Sequence, residues 1–176
     1  IIEHVKTLDY VDPARIGLIG MSHGGEMVLK ITSEYQGVAA AVACEPASHE
    51  YLALTPDDTA FVNDETQLRN IENMQMAEVE KVRRRIDTDT AMRRINAIDT
   101  PILVMGREDD HLQGIFRTTY ELLNQAGKDV EWVSFDHHIH GYIYPQRSAG
   151  GDYEVDDVQQ EAIDAIVSWL DRRLKS

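Results

Sequence analysis

The sequence has little cysteine and no long apolar run. Cys44 is the single cysteine among 176 residues. An internal disulfide is therefore excluded, and a reducing, cytoplasmic compartment is the expected location. The longest apolar run, 38–44, is far too short to span a membrane. The amino terminus does not resemble a signal peptide, because Glu3, His4 and Lys6 interrupt it early.

Basic residues are also scarce. The chain has 17 Lys and Arg against 31 Asp and Glu, which gives a formal net charge of −14. Phosphate backbones would be repelled by this charge, so nucleic acid is not an expected partner. The hydrophobic content of 43% is ordinary for a soluble globular protein, and the length suits one domain over residues 1–176.

The chain does not begin with methionine. It opens with Ile1, Ile2, Val5 and Leu8 at helical spacing, as though a helix were already in progress. We therefore expect the chain to be the carboxy-terminal part of a longer protein, or a truncated product.

Apolar, β-branched runs alternate with amphipathic segments along the chain. This alternation predicts an α/β protein with a mostly parallel sheet of about four strands flanked by helices. The rhythm is broken between residues 45 and 97, where a polar loop and further helical patterns are expected. The predicted strands cover residues 15–20, 38–44, 102–105 and 130–135.

The most informative motif is Gly20-Met21-Ser22-His23-Gly24, which lies between the first predicted strand and a predicted helix. A G-x-S-x-G pentapeptide in this position is typical of a nucleophile elbow. The turn is sharp, so glycines are expected on both sides of a serine whose Oγ stands clear of the sheet. A serine nucleophile also needs an imidazole to take its proton and a carboxylate to hold that imidazole.

Candidates for both partners follow the later strands. In a parallel sheet, the carboxyl ends of the strands meet at the edge that carries the elbow. The order Ser22, Asp109, His140 is the one that an α/β-hydrolase requires. Neighbouring residues are rivals for the two partner positions: Glu108 and Asp110 for the acid, His137 and His138 for the base.

Residues 11–25 resemble the elbow of the α/β-hydrolase superfamily, closest to its prolyl-oligopeptidase-like and dienelactone-hydrolase-like branches. These branches include acyl-peptide hydrolases and carboxylesterases. In that group the acid commonly follows a strand-ending glycine by three residues, which selects Asp109 after Gly106. The base commonly stands in a His-Gly-aromatic step, which selects His140. The losing candidates are expected to face solvent.

The resemblance implies the carboxy-terminal half of an α/β-hydrolase fold, with residues 45–97 as a helical lid-like insertion. It implies a serine hydrolase that cleaves a carboxylic ester or a peptide bond through an acyl-enzyme, without metal or organic cofactor. The backbone N–H of His23 would stabilise the oxyanion. Glu26 is expected to be a helix-end charge, and Cys44 a buried strand-end residue. Side chains of the elbow and the lid are expected to line the acyl pocket or, equally, to be core: Met21, Leu68, Ile71, Met74 and Met76.

Two other functions remain open. The first is a metal-binding protein, in which histidines and aspartates of the later loops would be the ligands: Asp109, Asp110, His111, His137, His138 and His140. Under the second, the chain is a catalytically weak half-domain, because the resemblance places the second oxyanion donor and half of the sheet upstream of the elbow. The elbow strand would then be an exposed edge, to be covered by a second copy, by the opening helix 1–8 or by a missing amino-terminal half.

Overall fold

The computed structural model describes residues 1–55 and 75–175. The strands are β1 Gly17–Met21, β2 Ala40–Cys44, β3 Ile102–Arg107, β4 Val130–Phe135, β5 Gln146–Arg147 and β6 Tyr153–Glu154. The helices are α1 Ile2–Val5, α2 His23–Glu34, α3 Val79–Arg83, α4 Thr88–Asn96, α5 Gln113–Gln125 and α6 Asp157–Leu174. None of the described helices is both long enough and apolar enough to cross a bilayer.

The main sheet is parallel, with strand order β1-β2-β3-β4. The predicted α/β class and its four strands are thereby confirmed. Every residue of β2 is buried, and so are the first five residues of β3, as expected for central parallel strands covered on both faces. The short antiparallel pair of β5 and β6 was not predicted.

Two hydrophobic clusters lie on opposite faces of this sheet. On one face, alternate residues of β2 and β3 pack against α2, α4 and α5, with Leu29, Ile95 and Phe116 fully buried. On the other face the sheet packs against α6 through Ala162, Ile166 and Trp169. The lid-like insertion predicted over 45–97 is described only in part. In that part it contributes α3 and α4 to the first cluster.

Helix α6 also holds the loop that follows β4. Asp156 caps the helix by accepting a hydrogen bond from the Gln159 amide at 2.8 Å, and the Gln159 side chain returns to the Asp156 amide. The Gln159 Nε2 donates to the carbonyls of Tyr142 at 2.7 Å and Tyr144 at 3.2 Å. The start of α6 therefore fixes the position of the 140–144 backbone.

Strand β1 lies at the edge of the sheet, with β2 as its neighbour. Ile19 in its middle is 53% exposed. The opening segment contacts the end of α2 instead. Lys6 Nζ donates a hydrogen bond of 2.9 Å to the hydroxyl of Tyr35, which directly follows that helix. The opening helix therefore does not cover Ile19.

Candidate active site

Ser22 stands on a strained turn between β1 and α2. Its φ of 55° and ψ of −120° belong to a region that non-glycine residues rarely adopt. The backbone is held there by three hydrogen bonds: Ser22 N–H donates to the Cys44 carbonyl at 2.9 Å, and Ser22 C=O accepts from Glu26 and Ala47 at 3.1 Å each. Such strain costs about 1–3 kcal/mol and persists only where neighbouring structure enforces it.

The two glycines of the pentapeptide are not equivalent. A Cβ on Gly20 would lie 2.1 Å from the carbonyl oxygen of Gly24, so the turn needs glycine there. A Cβ on Gly24 would meet no described atom within 4 Å. The second tight approach belongs to Gly25, whose Cβ would lie 2.9 Å from the Cys44 carbonyl oxygen. Packing therefore requires Gly20 and Gly25, whereas the same reason does not apply to Gly24.

The loop after β4 brings His140 to the elbow. Gly141 has a φ of 79°, and a Cβ on it would lie 2.7 Å from the Met21 sulfur. Gly141, which follows His140, therefore packs against Met21, which precedes Ser22. The His140 side chain is 35% exposed, so one edge of the imidazole can be reached from solvent.

Two buried carboxylates face the Nδ1 atom of His140. Asp110 Oδ2 and Glu45 Oε1 each lie 3.4 Å from this nitrogen, and both side chains are fully buried. The Arg107 guanidinium links the two acids, with Nη2 at 2.6 Å from Asp110 Oδ2 and Nε at 3.2 Å from Glu45 Oε1. The group thus comprises two acids, one permanent cation and one imidazole.

Among the three consecutive acids that follow β3, Asp110 is the one that faces His140, and the predicted Asp109 is exposed. Asp109 has a φ of 56°, which turns the chain so that the following side chain points inwards. Asp110 Oδ1 then accepts the Leu112 amide at 2.7 Å, immediately before α5. The spacing seen in the family, three residues after Gly106, selects Asp109, whereas the acid that faces His140 is one residue further along the chain. The tendency of Asp to accept a hydrogen bond from the backbone N–H two residues on, as in an Asx turn, is the signal that could have favoured Asp110.

The charges of this group shift its pKa values in opposite directions. Hydrogen bonding to Asp110, and then to Glu45, raises the pKa of His140 to about 9. Burial alone would raise the pKa of Asp110, but hydrogen bonds from His140, the Leu112 amide and Arg107 outweigh it and lower that pKa to about 2. The site therefore favours an imidazolium beside a carboxylate.

Comparisons with known proteins agree with this fold. Residues 1–145 match the sequence model of the family described as BAAT / Acyl-CoA thioester hydrolase C terminal. The chain belongs to this family. No significant match is found among curated proteins.

Solved structures similar to this family member are α/β-hydrolases. Pyrococcus horikoshii acylaminoacyl peptidase is 17% identical, with a TM-score of 0.64 over 99% of this chain and 26% of its own. A fungal esterase from Rhizomucor miehei is 19% identical, with a TM-score of 0.62 over 98% of this chain and 54% of its own. Porphyromonas gingivalis dipeptidyl peptidase 4 is 19% identical, with a TM-score of 0.61 over 98% and 22%. The chain thus has the carboxy-terminal part of this fold and spans between about a quarter and a half of these proteins.

The other histidines of this family member have separate surroundings. His137 is buried, contrary to the solvent-facing position expected of it, and its Nε2 lies 2.9 Å from Asp156 Oδ2. His138 is exposed and stacks on the His137 ring. His111 Nδ1 lies 3.3 Å from Asp110 Oδ1. The predicted histidine cluster is therefore not gathered around one point.

One set of described side chains has the spacing of metal donors. Donor atoms of Glu45, Asp110 and His140 lie within 4.8 Å of one another. The Arg107 guanidinium already contacts both carboxylates, so their charge is largely balanced without an ion. The donor set therefore fits an ion-paired base better than a metal centre.

The start of α2 places the remaining elbow residues. The His23 side chain is 69% exposed, with Nδ1 3.2 Å from Glu26 Oε2, so the imidazole is turned to the surface. Glu26 is more than a helix-end charge, because it is buried and accepts the Tyr51 amide at 2.7 Å. Cys44 is a buried strand-end residue as predicted, and burial raises the pKa of its thiol.

Most of the predicted pocket-lining residues cannot be placed. Leu68, Ile71 and Met74 lie outside the described residues. Met76 is 1% exposed and belongs to the core under α5. Met21 packs between Gly141 and the cluster on the α6 face.

The unequal glycines give a paired prediction. Gly20→Ala should lower the free energy of unfolding by about 2 kcal/mol or more, because the added methyl overlaps backbone atoms. Gly24→Ala should be neutral or stabilising by up to about 1 kcal/mol, because Gly24 lies in α2 with open space beside it. Urea unfolding followed by circular dichroism measures both variants. Equal destabilisation of the two would contradict the described turn.

Proposed function

We propose that this chain carries the reacting groups of a serine hydrolase, with Ser22 as nucleophile, His140 as general base and Asp110 as orienting carboxylate. The observation that carries the proposal is the strained Ser22 at the sheet edge where His140 contacts the buried Asp110. Strain of this kind concentrates at functional sites. A carboxylate on imidazole Nδ1 leaves Nε2 free to accept a proton.

The proposed reaction is acyl transfer to water. Ser22 Oγ attacks the acyl carbonyl carbon while His140 Nε2 takes the hydroxyl proton. The bond from that carbon to the leaving atom then breaks, and His140 returns the proton to the leaving group. Water repeats the sequence on the acyl-serine and releases the acid. No metal or organic cofactor takes part in these steps.

Backbone groups at the start of α2 suit the charge that develops on the carbonyl oxygen. His23 opens the helix, so its N–H has no partner within α2. We assign it as one oxyanion donor, supported by the positive end of the helix dipole.

The substrate class follows from the bond that the similar proteins cleave. The family description names a thioester hydrolase, and the similar structures are named as peptidases and esterases. All of these cleave an acyl carbon from an oxygen, nitrogen or sulfur atom. We therefore propose a carboxylic ester or amide as substrate, and add thioesters on the strength of the family.

Covalent labelling tests the nucleophile. A fluorophosphonate should label the chain once, and Ser22→Ala should abolish the label while leaving the circular dichroism spectrum unchanged. Ser33→Ala, near the end of α2, is the matched control, because its hydroxyl donates an exposed hydrogen bond of 2.8 Å to the Lys30 carbonyl. Labelling of Ser22→Ala at the wild-type rate would refute the assignment.

The raised pKa of His140 sets the pH dependence of labelling. Below about 9 the imidazole is protonated and cannot accept the serine proton, so the rate should fall about tenfold per pH unit on the acid side. Asp110→Asn should move the midpoint to lower pH, because the neutral amide no longer stabilises the imidazolium. Asp109→Asn should leave it in place. A shift caused by Asp109→Asn alone would return the acid role to that residue.

A second candidate function is that the chain works only in association across β1. The observation that favours it is the outer edge of β1, which no strand of residues 1–55 or 75–175 pairs, with Ile19 53% exposed in its centre. Exposed strand edges pair readily with further strands. We propose a second copy of this chain as the occupant when the chain is alone in solution, with an amino-terminal segment as the alternative.

Sedimentation velocity tests the edge. The wild-type chain should sediment as a dimer, and Ile19→Lys should sediment as a monomer because a charge is placed in the strand pairing. Tyr153→Lys is the control, since Tyr153 is 72% exposed on β6 rather than on β1. A folded wild-type monomer that hydrolyses p-nitrophenyl esters would disprove the association.

A further inference from the structure

Glu45 is a buried acid that no motif singled out. It follows β2 directly, has a φ of 41° and is fully buried. Its Oε2 accepts the Gly141 amide at 2.6 Å. Its Oε1 lies 3.2 Å from Arg107 Nε and 3.4 Å from His140 Nδ1. A strained backbone and a buried carboxylate are both costly, so this placement calls for a compensating role.

The charges around His140 do not balance when the imidazole is neutral. Asp110 and Glu45 supply two negative charges, and Arg107 supplies one positive charge. Burial raises the pKa of both the Tyr142 hydroxyl and the Cys44 thiol, which keeps these two groups neutral. The His111 imidazole is 31% exposed and lies 3.3 Å from Asp110 Oδ1, whereas His140 faces Oδ2. A protonated His140 makes the group neutral. One carboxylate with Arg107 would already balance, so a second carboxylate adds to the preference for the imidazolium.

We propose that Glu45 is a second positioning carboxylate of His140, acting on the same Nδ1 atom as Asp110. The two carboxylate oxygens of Glu45 have different contacts. One holds the Gly141 backbone and so fixes the ring position, and the other faces the ring nitrogen. Arg107 contacts both acids, at 3.2 Å from Glu45 and 2.6 Å from Asp110. The catalytic meaning of this inference rests on the proposed serine hydrolase function, whereas its physical content is a charge coupling that needs no activity.

The coupling is measured by histidine titration in solution. Two-dimensional NMR follows the Cε1–H signals of the full chain against pH, with the His140 signal identified by its loss in His140→Gln. The wild-type midpoint should lie near 9. Glu45→Gln should lower it by about one pKa unit or more, because an opposite charge within hydrogen-bonding range shifts a pKa by about 1–3 units.

The variant separates the electrostatic role from a structural one. A glutamine oxygen can still accept the Gly141 amide, so the backbone contact is retained while the charge is lost. Glu108→Gln is the matched control, because it removes a nearby exposed charge. In this variant the titration midpoint of His140 should move by less than about 0.3 units. Equal shifts in the two variants, or no shift in Glu45→Gln, would overturn the inference.

If Glu45→Gln fails to fold, a measurement on the wild-type chain still tests the coupling. The Glu45 Cδ signal should change with a midpoint equal to that of His140, because the carboxylate senses the proton on the neighbouring ring. A flat Glu45 signal across that range would overturn the inference. Fluorophosphonate labelling is scored separately. A coupled Glu45 in a chain that never labels refutes the hydrolase function alone, and an uncoupled Glu45 in a labelled chain refutes the Glu45 role alone.

Discussion

The arrangement of the site depends on Arg107, the last residue of β3. Its Nε and Nη2 contact Asp110, its Nε also faces Glu45, and its Nη1 donates to the His137 carbonyl at 2.9 Å. One side chain thereby joins the ends of β2 and β3 and the loop after β4. Because Arg107 is planar and permanently charged, it can hold two carboxylates in fixed directions. Without it, two buried negative charges close to one ring would repel each other with no cation between them.

Features set by short-range patterns could be predicted from the sequence. The buried strands read as apolar runs, and the elbow reads as a pentapeptide between a strand and a helix. Helix α6 was recognisable from its spacing of Ala162, Ile166 and neighbouring apolar residues. Each of these depends on local periodicity or on one sharp turn, so few alternatives compete with it.

Features set by the direction of single residues could not be predicted in this way. The sign of φ at Asp109 decides which of three consecutive acids turns inwards, and no periodicity encodes it. Glu45 belongs to no motif, because its role arises when the parallel register brings the ends of β2 and β3 together. His137 was expected to face solvent because its partner, Asp156, lies 19 residues further along the chain, at the start of α6.

The hydrogen bonds from Gln159 to the 142 and 144 carbonyls have a consequence for synthesis. Ser22, Glu45 and Asp110 leave the ribosome well before α6, which carries the anchor for the base loop. Until α6 emerges and docks on the sheet, nothing in the described contacts ties Gln159 to the backbone beside His140. A nascent chain would therefore carry Ser22 and both acids before the loop of His140 is anchored, and that loop would be fixed only after α6 has docked on the sheet.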